Sequence, residues 1–353
     1  MTPRERWLSF FGGRRPDRVP CDYWATTEVT SRLKTELGCR SERELWEKLG
    51  IDKCIHLAPL HPLAKDDEWH IDSVFPIWHV GTREVPYMDG RAAYVETITH
   101  PLAGARTVLD IEAFAWPDPE EWDIDGMRAR CEEWKGYPIL GGTYEPFYLY
   151  CHLRGMEQAL EDLLLNADVL EAGLERIFEI HETIIRRTLE AAGHLIDFIY
   201  VAEDLGNQQG LLMSPASFRK FLKPRMVRMI QLVHSYGVRV FHHDDGAIRS
   251  LLPDLLEVGI DVLNPIQWRC QGMDREGLAR DIGSAVVFHG GVDNQVTLPF
   301  GTPDDVKQEV ADNIRIFKGC KGYVVAPCHN IQPNTPTENI LALYAAVEQF
   351  GRG

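Results

Sequence analysis

Four stretches of this chain end an apolar run on a burst of residues that can ligate, donate or accept protons. Val238-Arg239-Val240-Phe241 runs into His242-His243-Asp244-Asp245-Gly246, and Gly322-Tyr323-Val324-Val325-Ala326 into Pro327-Cys328-His329-Asn330. Phe198-Ile199-Tyr200-Val201 leads to Glu203-Asp204-Leu205-Gly206-Asn207, and Val286-Val287-Phe288 to His289-Gly290-Gly291-Val292-Asp293-Asn294. His243, Asp245 and Cys328 together offer an imidazole, a carboxylate and a thiolate. That mixed set suits tetrahedral Zn²⁺ and leaves a fourth position for substrate or water. His243 and Asp245 stand two apart, so an extended backbone sends both to one side. Glu203 or His289 is a candidate fourth ligand. Glu203, Asp204 and His289 are also the candidate groups for managing protons. Each residue has a plainer reading too: His243 as a hydrogen-bonding histidine without metal, Cys328 as a buried thiol, Asp244 or Asp245 as the cap of the next helix. His242 reads as packed behind its strand.

These residues converge only if the chain brings the four segment ends together. Strand readings fall at 18–24, 52–57, 137–142, 197–201, 238–242, 262–265, 285–289 and 322–326. Helical patterns lie between them, at 157–165, 168–192, 214–236, 303–317 and 336–350. Strand, loop and helix repeated about eight times predict an α/β fold, a (β/α)8 TIM barrel, whose active site forms at the C-terminal ends of the strands. Helical patterns at 3–11, 26–37 and 41–49 make an N-terminal extension. No Gly-rich nucleotide fingerprint follows an early strand, which argues against an open doubly wound sheet. Residues 1–353 read as one domain. Residues 66–100 read as an antiparallel insertion, with strand alternation at 69–72, 77–80 and 93–97 and a turn at Asp89-Gly90. It either decorates the barrel or covers a substrate. Tyr144, Phe147, Tyr148 and Tyr150 follow the strand at 137–142 and form either an aromatic substrate wall or helix core. Asn207, Asp293 and Asn330 complete the substrate-binding candidates.

Composition narrows the partners. A net charge of −16 disfavours nucleic acid and anionic lipid. No run of about 18 uncharged apolar residues predicts a membrane span, and the charged start does not read as a signal peptide. The eight cysteines are scattered without a CxxC pair and read as reduced thiols. A soluble, cytoplasmic enzyme is expected.

The stretch Asp204-Leu205-Gly206-Asn207-Gln208-Gln209-Gly210-Leu211-Leu212-Met213-Ser214-Pro215 resembles the uroporphyrinogen decarboxylase superfamily. So do His243-Asp244-Asp245-Gly246, Gly290-Gly291-Val292-Asp293, and the run from Ala326 through Cys328-His329-Asn330 to Pro336. The resemblance covers nearly the whole chain, most clearly residues 137–350. It implies one of two chemistries. Uroporphyrinogen decarboxylases hold their polycarboxylate substrate with an arginine-rich N-terminal loop and use no metal. Here the corresponding segment is Trp24-Ala25-Thr26-Thr27-Glu28-Val29, without the arginine forks that pair with carboxylates. The other branch holds zinc methyltransferases that work with corrinoid proteins, and its ligand pattern maps onto His243 and Cys328. Asp245 stands where that branch has cysteine. A carboxylate leaves zinc harder and less thiophilic, which favours an O-methyl donor such as an aryl methyl ether over a thiol. The resemblance therefore implies Zn²⁺, a cobalamin carried by a corrinoid protein and a small methylated substrate; the sequence leaves the oligomeric state open, a homodimer being one option. The competing expectations are a zinc-dependent lyase, decarboxylase or hydrolase, and a metal-free decarboxylase.

Overall fold

The computed structural model describes residues 1–64, 75–87 and 92–352. Its strands are β1 (Ile55–Leu57), β2 (Gly81–Tyr87), β3 (Ala92–Thr99), β4 (Ile139–Tyr144), β5 (Phe198–Ala202), β6 (Arg239–His243), β7 (Val262–Asn264), β8 (Val287–Val292) and β9 (Gly322–Pro327). Seven of them form one parallel sheet in the order β1-β4-β5-β6-β7-β8-β9. Helices cross between successive strands, among them Ala167–Ala192, Lys223–Ser235 and Pro303–Phe317. β5, β8 and β9 are buried along their whole length, as strands covered on both faces must be. Alternation divides the side chains. Phe198, Tyr200, Phe241, Val262, Val287 and Val324 pack together on the inner face, and Trp7 belongs to the same cluster. Ile199, Val201 and Val240 join the outer core beneath the helices.

Eight barrel strands were expected, and the parallel sheet holds seven among the described residues. The eighth place, read at 18–24, holds only one parallel bridge, Cys21 to Val325. Its flanking bonds run from the Val325 N–H to the Pro20 carbonyl and from the Asp22 N–H to the Val325 carbonyl, both 2.9 Å; on the other side the Asp52 N–H donates to the Cys21 carbonyl at 2.8 Å. Pro20 has no N–H to give a ladder, so the segment spans the gap between β9 and the approach to β1 without becoming a strand.

Within the expected insertion, β2 and β3 pair antiparallel. The segment read as strand at 77–80 does not form one: its first half lies in a 3₁₀ turn at Phe75–Trp78, and the strand starts only at Gly81. The expectations at 69–72 and at Asp89-Gly90 lie outside the described residues. Tyr87 and Tyr94 stack with centroids 4.5 Å apart, and both hydroxyls donate to the Gln332 Oε1, at 3.1 and 3.2 Å. Thr97 meets the His152 Nδ1 at 2.7 Å. The hairpin thus ties the loop after β9 to the helix Pro146–Arg154 at the C-terminal rim. No helix among the described residues is long and apolar enough to cross a membrane.

Two glycines set the spacing of the rim. A Cβ on Gly246, at φ +88°, would lie 2.5 Å from the Gly206 carbonyl carbon, and one on Gly206 would lie 2.3 Å from the Asp245 carbonyl oxygen. The loops after β5 and β6 therefore approach backbone to backbone. Gly246→Ala is expected to cost about 3 kcal/mol, combining left-handed strain with a backbone clash; a urea denaturation midpoint measures it.

Candidate metal centre and active site

His243 is the last residue of β6 and faces inward, like Phe241 two residues before it. Trp24 and Tyr200 stack on its ring at 5.9 and 5.7 Å. Asp245, two residues on, keeps that inward side. His329 enters from the loop after β9. The His243 Nε2 lies 3.8 Å from the Asp245 Oδ1, and the His329 Nε2 lies 3.8 Å from the Asp245 Oδ2. One ligand atom from each of the three falls within 4.8 Å of the others. These separations exceed hydrogen-bond length, while ligand atoms about 2 Å from one ion stand roughly 3–4 Å apart. The Asp245 Oδ1 is buried and accepts no hydrogen bond, an expensive state for a carboxylate oxygen with no cation beside it. Two imidazoles and a carboxylate gathered around an unsatisfied oxygen fit a divalent metal. The exposed Asp204 adds a fourth group, its Oδ1 3.6 Å from the His243 Nε2. Lost hydration on its inner side and the charge of Asp245 raise its pKa, against His243 and His329, which lower it.

Cys328, expected as the third ligand, is not brought to this cluster. Its thiol donates to the Ile266 carbonyl at 3.1 Å, and burial pushes its pKa well up. Regular alternation ends with β9 at Pro327, so side-chain directions beyond it do not follow from strand parity. The neighbouring His329 takes the position instead. The sequence carried a signal for it: a metal-ligating residue type next to Cys328, offset by one past a strand end.

A chain of hydrogen bonds orients His243 from below. The Asn264 Oδ1 can only accept, so the His243 Nδ1 carries the hydrogen across 2.5 Å, and the Nε2 lone pair is left facing Asp245. The Asn264 Nδ2 donates to the His289 Nδ1 at 2.6 Å. The His289 Nε2–H in turn donates to the Asp22 Oδ2 at 3.1 Å. Asp22 is fully buried and also accepts from the Tyr23 and Cys54 N–H groups and the Trp24 indole. Burial alone would raise its pKa; Lys53, 3.7 Å away, and His289 outweigh it and hold the carboxyl well below its usual range. His289, a candidate base or fourth ligand, therefore sits one layer below the rim, with both ring nitrogens occupied. Its burial lowers its pKa. Asn264 and Asp22 had no motif to mark them; their importance lies only in contacts between distant strands.

The remaining candidates divide. Glu203 faces outward and accepts from the Phe147 and Tyr148 N–H groups at 3.1–3.2 Å, capping the helix Pro146–Arg154 rather than entering the mouth. Burial raises its pKa from 4.5 to about 8, Asp204 adds to the rise, and the two N–H donors oppose it. Such a raised acid stabilises the fold fully below about pH 4.5 and loses that contribution as pH climbs to 8. Glu203→Gln, permanently neutral, is expected to flatten the fall of Tm between pH 5 and 8.5 and to leave activity within a few-fold of the parent. Tyr144 is buried on the outer face against Phe178 and His181, and Phe147 is buried core. Tyr148 is half-buried beside His152. The Asn207 side chain closes its own turn onto the Gln209 and Gly210 N–H groups. Asp293 caps Val296 and Thr297 and pairs with Arg269 at 2.8 Å. The Asn330 carbonyl accepts from Asn294 and Gln332. Asp244, read as a helix cap, instead accepts the Leu205 N–H at 2.8 Å.

With this geometry in hand, comparison with known proteins adds ancestry. A family model described as uroporphyrinogen decarboxylase (URO-D) matches residues 97–350. The uroporphyrinogen decarboxylase of Syntrophotalea carbinolica is 26% identical over 256 residues, covering 69% of this chain and 70% of that protein. The methylcobamide:CoM methyltransferase MtaA of Methanosarcina barkeri is 29% identical over 213 residues, covering 60% of this chain and 58% of the relative. A solved methyltransferase from Methanosarcina mazei superposes with a TM-score of 0.67 over 99% of each chain at 23% identity, a likeness of fold.

Proposed function

The chain belongs to the uroporphyrinogen decarboxylase family, and we propose that within it this protein is a zinc-dependent methyltransferase, moving a methyl group between a small O-methylated substrate, an aryl methyl ether, and the cobalt of a corrinoid protein. The similarity to a protein named for methylcobamide chemistry supports the reaction class. The observation that carries the substrate class is the donor set. The His243 Nε2, the His329 Nε2 and the orphaned Asp245 oxygen supply nitrogen and oxygen, and the Cys328 thiol is turned away onto Ile266. A site meant to hold a thiolate substrate gains from soft sulfur ligands; a set of harder donors favours an oxygen leaving group. When bound, zinc supplies Lewis acidity against the negative charge that develops on that oxygen.

The protein's own residues do the rest. His243, His329 and Asp245 hold the ion, and Asn264 keeps the His243 lone pair aimed at it. Asp204, at the mouth beside His243, is the carboxyl placed to pass a proton to the departing phenolate oxygen. Trp24 and Tyr200 flank His243 and exclude water from its inner side. A donor set of two histidines and a carboxylate with an open position also suits water activation, so a zinc hydrolase is the second reading. X-ray absorption at the zinc edge tests the ligand assignment. Scattering from nitrogen and oxygen alone at about 2.0 Å is expected; a sulfur shell near 2.3 Å would put Cys328 back on the metal.

A further inference from the structure

At the opposite end of the sheet, the N-terminal end, the loop through Arg14 meets the C-terminal ends of the helices Pro303–Phe317 and Thr337–Phe350. Between them lies a cavity of about 350 Å³, within the size range of small-molecule sites. Five of its lining residues are cationic, Arg14, Arg15, Lys318, Lys321 and Arg352, and none is acidic. The chain as a whole carries 53 acidic residues against 37 basic ones, so this local inversion runs against its composition. Lys321 donates to the Ala285 carbonyl and Arg352 pairs with Glu348. The side chains of Arg14, Arg15 and Lys318 make no hydrogen bond or ion pair with a described residue. Lys318 and Arg352 follow helix C-termini, where cations complement the carbonyls. Arg14 and Arg15 come from a loop and have no such partner.

The walls are apolar. Phe10, Ile314, Phe317 and Phe350 line the cavity, with Val19 at its edge. The Phe10 ring lies over Gly322, where a Cβ would stand 2.5 Å from it, so the glycine lets the aromatic ring settle against β9. A cationic rim over aromatic and aliphatic walls suits a ligand with a multiply charged anionic group and an apolar or planar body. Adjacent arginine forks match phosphate oxygens, and a rim of five cationic side chains exceeds what a single carboxylate balances. We propose that this cavity is a second binding site, separate from the metal cluster, for a phosphorylated small molecule of the nucleotide class.

Isothermal titration calorimetry of the full chain with ADP, pyrophosphate and decanoate tests it. ADP is expected to bind at least tenfold more tightly than pyrophosphate, which lacks the body, and than decanoate, which has one charge. The double variant Arg14→Ser/Arg15→Ser should weaken ADP at least tenfold with an unchanged thermal transition, since both side chains are exposed. Arg176→Ser, an exposed cation on the long helix Ala167–Ala192, should change nothing, and His243→Ala should leave ADP binding intact. Absence of ADP binding, or ADP binding unaltered in the double variant, would overturn the site. Equal binding of pyrophosphate would overturn the apolar body, tighter binding of decanoate the phosphate class, and loss of ADP binding in His243→Ala the separateness from the metal cluster.

Discussion

His329→Ala is expected to strip the protein of its metal and its activity, while Cys328→Ser keeps both. The contrast is sharp because the two residues are neighbours in sequence and either type ligates zinc. Zinc bound by four protein ligands gains about 10–16 kcal/mol in all, so one ligand is worth roughly 3 kcal/mol, more than 100-fold in affinity. His243→Ala and Asp245→Ala should match His329→Ala. Cys328→Ser keeps a donor for the Ile266 carbonyl and is expected to cost only about 1 kcal/mol of stability. Metal content by mass spectrometry and competition with a chromophoric chelator read the series. Loss of metal in Cys328→Ser together with retention in His329→Ala would reverse the ligand assignment.

Asn264→Leu comes next in size. Asn264 is fully buried and links His243 to His289 by hydrogen bonds at both ends. Removing its amide frees the His243 ring to adopt the other tautomer, which would point a hydrogen rather than a lone pair at Asp245. Partners that orient a ligating histidine are typically worth 10–100-fold in metal affinity, and that loss is expected here. Two buried imidazole nitrogens also lose their partners, a further cost of about 2 kcal/mol in stability. Asn264→Asp still accepts from the His243 Nδ1–H and should recover most of the metal affinity lost in Asn264→Leu. The chelator competition distinguishes this from a general packing defect, because a misfolded core would not be rescued in affinity by the smaller change. Equal affinities in parent and Asn264→Leu would show that the chain of bonds from Asp22 does not orient the ligand.

The sequence made much of the frame legible. The helix at 303–317 is found at Pro303–Phe317, where Thr302 caps it and Pro303 opens it, and the apolar runs at 197–201 and 238–242 appear one residue later as β5 and β6. Periodicity and capping act locally, so they survive in a single sequence. The run 18–24 has strand composition, but among the described residues it makes only a bridge to β9, because Pro20 withholds the donor a ladder needs. Within the site, His243 closes β6, and Asp245, two residues on in the loop, keeps the inward side given by the alternation rule although the ladder has already ended. Cys328 and His329 lie beyond the end of β9, where the rule lapses, and the structure exchanges one for the other. Glu203 looked like Asp204 in type and place; as the first residue past β5 it turns outward onto a helix N-terminus. Asn264, His289 and Asp22 join through contacts spanning 25 and 267 residues, which no local pattern reports.

The central claim, methyl transfer from an oxygen donor to cobalt, is tested most directly by mixing the zinc-loaded protein with cob(I)alamin and a panel of methoxylated aromatics, methylated amines and methyl thioethers under strict exclusion of oxygen. The absorption spectrum follows the reaction. Conversion of the cob(I)alamin bands to those of methylcobalamin with a methoxylated aromatic, abolished in His329→Ala, is the predicted result. An unchanged spectrum with every donor, or conversion with thioethers alone, would contradict it.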